Sequence, residues 1–200
     1  MFRPAKTPTD GRPSQISLVG LPGVGKSTVG KHLARGLRRQ FYDSDAEIER
    51  EIGCSIREFF EREGEARFRD IEQGVIATLT ALPGTVLATG GGAVLREANR
   101  EALREASTVI YLRSSAEELF KRLRHDTHRP LLQVRDPRRR LRDLFADRDP
   151  LYSMTAHFTI EIGRPSIPTM VNMILMQLEL AGLVDPALVP SPVEPRNVAR

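Results

Sequence analysis

Tryptophan is absent from these 200 residues and cysteine occurs once, at Cys54. A single cysteine excludes an internal disulfide. With no histidine near it in sequence, Cys54 reads as a small packing residue beside Gly53, not a nucleophile. No apolar run is long enough to span a membrane, and the leading MFRPAKTPTDGRPSQ lacks the apolar core of a signal peptide. The expectation is a soluble cytoplasmic chain with no membrane partner. Aromatic residues make up 6% of the sequence, and the basic stretch lacks the run of interleaved aromatics that a platform for stacking single-stranded nucleic acid requires. Histidine is sparse as well. His125 and His128 have no cysteine nearby to complete a metal site, and His32 and His157 read as surface or packing residues. Neither N-K-x-D nor D-x-x-G occurs, which disfavours a GTP-dependent switch. No helix-turn-helix segment is attached and there are no internal repeats.

What is present is ordered alternation. Strand patterns fall at Ile16 to Val19, Phe41 to Tyr42, Val86 to Ala88, Thr108 to Leu112 and Phe158 to Ile162. Helical patterns cover Gly25 to Arg39, Glu65 to Leu79, Ala116 to Arg124, Pro137 to Phe145 and Pro168 to Ala181. Ser55 with Glu58, and Ser115 with Glu118, form capping boxes. Strand and helix in turn predict an α/β domain, a parallel sheet covered by helices on both faces, spanning 15–183. Residues 1–14 and 184–200 are rich in Pro, Arg and small polar residues without period, and read as disordered tails. Formal net charge is +4 but unevenly spread: residues 43–72 carry eleven acids against five arginines, and residues 113–142 carry ten basic residues against four acids. Such blocks are usually solvated faces. The basic one also fits a mobile lid, about 125–137, closing over phosphates.

The chemistry begins at VGLPGVGKST. Gly20, four residues, Gly25, Lys26 and Ser27 match G-x-x-x-x-G-K-[ST] between a strand and a helix. Glycines let backbone N–H groups turn inward around phosphate, the helix offers its positive end, and Lys26, taken here as a surface loop lysine of little packing value, reaches the outer phosphates. Ser27 supplies a hydroxyl to Mg²⁺. The motif binds a nucleoside triphosphate without naming a reaction.

The other half of the site must follow the remaining strands, since ligands of such sheets sit at the strands' carboxyl ends. FYDSD follows the second strand. Asp43 and Asp45, two apart in extended chain, would face the same way, one holding Mg²⁺ through water and the other accepting from an incoming hydroxyl. Equally, Asp45 before AEIERE could cap a helix. ATGGGAV follows the third strand and lacks side chains at three successive positions, so backbone could approach a small ligand. EARFRDIE sets Arg69 and Glu72 on one helical face, as a site pair or a surface ion pair. THRPLL and DRDPLY add Arg129 and Arg148, side chains suited to carboxylate or phosphate.

In this order GLPGVGKST, FYDSD, SIREFFEREGEARFRDIE, ATGGGAV, THRPLL and DRDPLY resemble the shikimate kinase family, from about Ile16 to Pro165. The resemblance implies a single P-loop kinase domain using ATP and Mg²⁺ to phosphorylate the 3-hydroxyl of shikimate, on the route to chorismate and the aromatic amino acids, and acting as a monomer with no nucleic-acid partner. It implies that Gly23, Val24, Gly25, Lys26, Ser27 and Thr28 hold the nucleotide phosphates, that Ser27 meets the metal directly and that Asp43 meets it through water. Asp45 would contact the reacting hydroxyl. Arg69 and Arg148 would hold the carboxylate, Glu72 would orient Arg69, and Gly91 and Gly92 would offer backbone to the ring substituents. Arg129 would reach the phosphates from the lid, and Arg122 and Arg164 would flank adenine. Arginines around Asp45 should lower its pKa and weaken it as a base. Rival readings are a small kinase acting on gluconate or a nucleoside monophosphate, and a kinase-like ligand sensor.

Overall fold

The computed structural model describes residues 15–123, 136–163 and 166–189. The N-terminal tail, the C-terminal tail beyond residue 189, the lid apart from its last two residues, and both Arg129 and Arg164 lie outside the described residues. The first part of the expected C-terminal tail, residues 184–189, is described: Val184 is buried in the core and Pro186–Leu188 form a single 3-10 turn capped by Asp185. Five strands form one parallel sheet: β1 (Gln15–Val19), β2 (Gln40–Asp43), β3 (Thr85–Ala88), β4 (Ser107–Arg113) and β5 (Phe158–Glu161), in the order β2-β3-β1-β4-β5. The burial follows that order. β1 and β3 are buried at every residue and β4 at all but its last, whereas β2 and β5, at the two edges, are partly exposed. Near-continuous apolar strands are what a sheet covered on both faces requires.

The helices are α1 (Lys26–Leu37), α2 (Ser44–Ile52), α3 (Ile56–Thr80), α4 (Glu97–Ala106), α5 (Ala116–Leu123), α6 (Pro137–Thr155) and α7 (Ile167–Leu180). Right-handed crossovers decide which face each one covers. The step from β1 to β2 runs one way across the sheet, and the steps β2 to β3, β3 to β4 and β4 to β5 run the other way. Helix α1 therefore lies on one face and α2 to α6 on the opposite face. Helix α7 packs on α1 and shares its face, while α3 meets α4 and α4 meets α6. Chains leaving the neighbouring strands β1 and β3 thus part to opposite faces, and a crevice opens between their carboxyl ends.

All five strands appear within a residue or two of the sequence pattern. Helix α3 begins nine residues before the predicted Glu65, at the capping box of Ser55 and Glu58, and is broken at Gly64 (φ 80°, ψ 172°), one residue before that start. Helix α4 has no counterpart in the sequence reading. Helix α6 runs ten residues past the predicted end at Phe145, through Pro150. The proline removes one backbone donor, but Leu141, Leu144, Tyr152 and Thr155 are buried along one stripe, and that packing carries the helix on. Asp43, not Asp45, caps α2: its Oδ1 accepts from the Asp45 N–H at 3.1 Å. Asp45 consequently stands in the first helical turn, not in extended chain beside Asp43.

Candidate active site

The loop after β1 takes the shape its glycines permit, with φ of 145°, 85° and 102° at Gly20, Gly23 and Gly25. No side chain caps α1, so its first N–H groups face the crevice, as anion binding at a helix start requires. Lys26 is 7% exposed and donates through Nζ to the carbonyls of Gly20 (2.7 Å) and Leu21 (3.0 Å). It is an internal strut of the loop, not the surface lysine expected. Ser27 Oγ donates to Asp43 Oδ2 at 2.5 Å. One hydroxyl and one carboxylate, both hard oxygen donors, suit a hard cation that keeps several waters and takes phosphate oxygens. The residues present therefore fit Mg²⁺. Arg122, on α5, donates to the Val24 carbonyl at 3.1 Å and lies against Gly25, so it sits on the phosphate loop itself.

Gly23, Gly25, Lys26, Ser27 and Asp43 line a cleft of about 460 Å³ together with Thr28, Asp45, Glu49, Thr89 and Gly91. Another hollow of about 280 Å³ between α2 and α3, lined in part by Glu47 and Arg50, contains no convergent chemistry; that pair closes on itself. Asp45 shares the large cleft with Lys26, Asp43 and Glu49. Burial, then the neighbouring Asp43 carboxylate, pushes its pKa up to about 6, against the pull of Lys26. The lowering by arginines expected from sequence is thus reversed. A carboxylate of this pKa is a better base than an ordinary aspartate.

Three glycines fit the acceptor side together. A Cβ on Gly90 would collide with the Asp45 carboxylate, one on Gly91 with the Pro22 ring and one on Gly92 with the Arg69 guanidinium. The bare backbone makes room first for the protein's own functional side chains. Ser44, fully buried, accepts the Gly90 N–H at 2.8 Å, and Thr89 ties the exit of β3 to the Leu18 carbonyl of β1. Arg69 is held from two sides: Nη1 donates to Glu72 at 2.7 Å and Nη2 to Glu65 at 2.8 Å, with the guanidinium 5.2 Å from the Phe68 ring centre. Glu72 is 1% exposed. Burial pushes its carboxyl pKa up, and Arg69 opposes the shift. From α6, Arg148 Nη1 donates to the Gly91 carbonyl at 3.0 Å.

A model of the shikimate kinase family matches residues 22–179. A shikimate kinase of Ralstonia nicotianae is 55% identical over 90% of this chain and 94% of its own length. One of Paracidovorax citrulli is 57% identical over 86% and 96%. The chain belongs to the shikimate kinase family. Its fold also superposes on an Acinetobacter baumannii shikimate kinase solved in complex with shikimate, with a TM-score of 0.79 and 47% identity over 86% of this chain and 95% of that one. Membership makes the chain an enzyme, and its activity is ATP-dependent phosphorylation of shikimate.

Of the residues assigned from the resemblance to shikimate kinases, the described structure brings Lys26, Ser27, Asp43, Asp45 and Gly91 to one cleft. Arg69, Glu72 and Gly92 stand at its acceptor end, next to Asp45 and Gly90. Sequence reasoning missed Pro22, Glu65 and Tyr152. The last was legible in DRDPLY, where it follows Arg148 by four residues and so shares its helix face.

Proposed function

We propose that the chain transfers the γ-phosphoryl of ATP to the 3-hydroxyl of shikimate, with Asp45 as general base and Arg69 and Arg148 as the carboxylate anchors. The juxtaposition that carries this reading is Asp45 between the phosphate loop and the Gly90 to Gly92 turn, with two arginines beyond it. A carboxylated polyol offers a hydroxyl to the one and a carboxylate to the others; a purine or pyrimidine offers neither in that arrangement. Ser27 and Asp43 would hold Mg²⁺, which supplies charge neutralisation on the phosphate oxygens. Phosphoryl transfer depends on in-line positioning and charge stabilisation more than on covalent steps. The α1 N-terminus and Lys26 receive the phosphates, with Nζ exchanging its loop carbonyls for phosphate oxygens. Asp45, poised near 6, takes the hydroxyl proton as the oxygen attacks. Arg129, on the transferring group, and Arg164, beside adenine, are carried by the family resemblance alone. The position of Arg122 over Val24 and Gly25 favours a place near the phosphate loop. Action as a monomer is carried by the family resemblance alone, and one free cysteine accords with a cytoplasmic setting.

The deciding experiment offers the purified chain Mg²⁺ and ATP with shikimate, gluconate or a nucleoside monophosphate, and follows ADP release. Turnover dependent on shikimate is the expected result. Phosphorylation of another acceptor, with shikimate left intact, would overturn the assignment.

A further inference from the structure

Arg148 and Tyr152 are four residues apart on α6 and share a face. Both reach the same acceptor: Tyr152 Oη donates to the Gly91 carbonyl at 2.5 Å, beside the 3.0 Å bond from Arg148. A carbonyl oxygen has two lone pairs, so both donors can be accommodated at once. Tyr152 is fully buried. Its ring packs against that of Tyr111 at a centroid distance of 5.0 Å. The Tyr111 hydroxyl in turn donates to Asp149 at 2.9 Å, and Arg113 clasps the same carboxylate through Nε at 2.7 Å and Nη2 at 3.1 Å. Asp149, next to Arg148 but turned by about 100° around the helix, thus fastens α6 to the carboxyl end of β4. The aromatic pair sets Tyr152 against the Gly91 peptide.

On the other side of Gly91 stands Pro22 of the phosphate loop, too close for any Cβ. The Gly91 peptide is therefore confined between the nucleotide loop and α6. In a trans peptide the carbonyl and the following N–H point to opposite sides, and no peptide among the described residues is cis. With its carbonyl held toward Tyr152, the peptide directs the Gly92 N–H away from α6. That N–H donates to no described residue.

We propose that Tyr152 is a positioning residue for the acceptor, acting through the Gly91 carbonyl to fix the direction in which the Gly92 N–H is offered. This rests on the shikimate reading above. Without the hydroxyl, Arg148 must hold the carbonyl alone while also serving the substrate carboxylate, and the peptide gains freedom to rotate. The burdened step is acceptor binding, because the nucleotide phosphates are held by other groups. Burial pushes the Tyr152 hydroxyl up to about 12, so it remains a donor across the working range.

Tyr152→Phe keeps the ring, its packing on Tyr111 and the helix, and removes the donor. The expected result is a rise in KM for shikimate of about five- to thirty-fold, the effect of one or two hydrogen bonds to a ligand, with KM for ATP unchanged within two-fold. Calorimetric binding of shikimate should weaken in parallel. Tyr111→Phe, which loosens only the Asp149 latch, serves as comparison and should raise KM for shikimate less. A Tyr152→Phe enzyme with an unaltered KM for shikimate would overturn the proposal. So would an equal loss toward both substrates accompanied by a lowered melting temperature, since that marks a purely structural hydroxyl. Wild-type chain that neither binds nor phosphorylates shikimate would instead refute the function, and this proposal with it.

Discussion

Asp45 joins the most opposed demands at one residue. Its carboxyl has a folded pKa of about 6 against an ordinary value of 3.8. Between those values the folded chain holds more protons than the unfolded one, so this group makes stability fall as pH rises from about 4 to 6, and the penalty persists above that. Asp45→Asn removes it. We expect a melting temperature several degrees higher at pH 7.5, reflecting on the order of 1–3 kcal/mol, with the gain vanishing toward pH 4 in calorimetric scans. The same substitution should lower kcat by roughly 10²- to 10⁴-fold, and wild-type kcat/KM should rise with pH to a plateau above about 6. Near-normal kcat in Asp45→Asn would reduce Asp45 to a binding group. The arginines separate differently. Arg148→Ala leaves the buried Glu72 its hydrogen-bonded partner Arg69 and should act mainly on KM for shikimate. Arg69→Ala strips the buried Glu72 of its 2.7 Å partner, and should cost about 3–5 kcal/mol in denaturant unfolding as well.

At the scale of elements, the sequence was most readable where pattern and packing agree. Buried strands β1, β3 and β4 are apolar runs, and their alternation with helices yields the sheet and places its binding edge. Helix α4 escaped because EANREALREA turns only Asn99 and Leu103 fully inward, and Arg96 at its start contributes no side-chain cap. The end of α6 escaped because Pro150 reads as a stop, and only tertiary burial of Tyr152 and Thr155 shows that the helix continues. The site followed the same logic. GKST and the glycine triplet could be read directly, whereas the use of those glycines by Asp45, Pro22 and Arg69 depends on chain segments distant in sequence. The elevated Asp45 pKa likewise depends on burial, which no spacing records. Gly64 offers a test at this level. Its φ of 80° with ψ of 172° lies in a region essentially reserved for glycine, so Gly64→Ala should cost about 1–3 kcal/mol. Hydrogen exchange should show the loosening concentrated in residues 56–63, ahead of the break. Uniform loosening of the chain, or none, would mean that the two halves of α3 do not behave as separate segments.

Across the whole molecule, the charge asymmetry noticed in the sequence becomes spatial. The acid-rich stretch builds α2 and α3, which pack together, and the basic stretch contributes α5 and the start of α6, which also pack together. The phosphate loop, touched by Arg122 of α5, and the acceptor turn, touched by Arg69 of α3 and Arg148 of α6, lie between them. Both substrates of the family's reaction are anions, so their approach to this crevice is favoured by the basic flank and by the inward arginines. Added salt shortens the Debye length from about 10 Å at 0.1 M to roughly 3 Å at 1 M, which screens exposed arginines on α6 far more than the half-buried Arg148 or the enclosed Arg69. The expected outcome is a steep dependence of KM for ATP on potassium chloride, about several-fold between 0.05 and 0.5 M, with a shallower dependence for shikimate and little change in kcat. Replacing Arg138, Arg139 and Arg142, exposed residues of α6, by glutamine should flatten the ATP dependence while leaving that for shikimate in place. Equal salt dependence for the two substrates in wild type, or no flattening in the variant, would show that the basic flank does not guide the nucleotide and that the local contacts of the loop account for its capture.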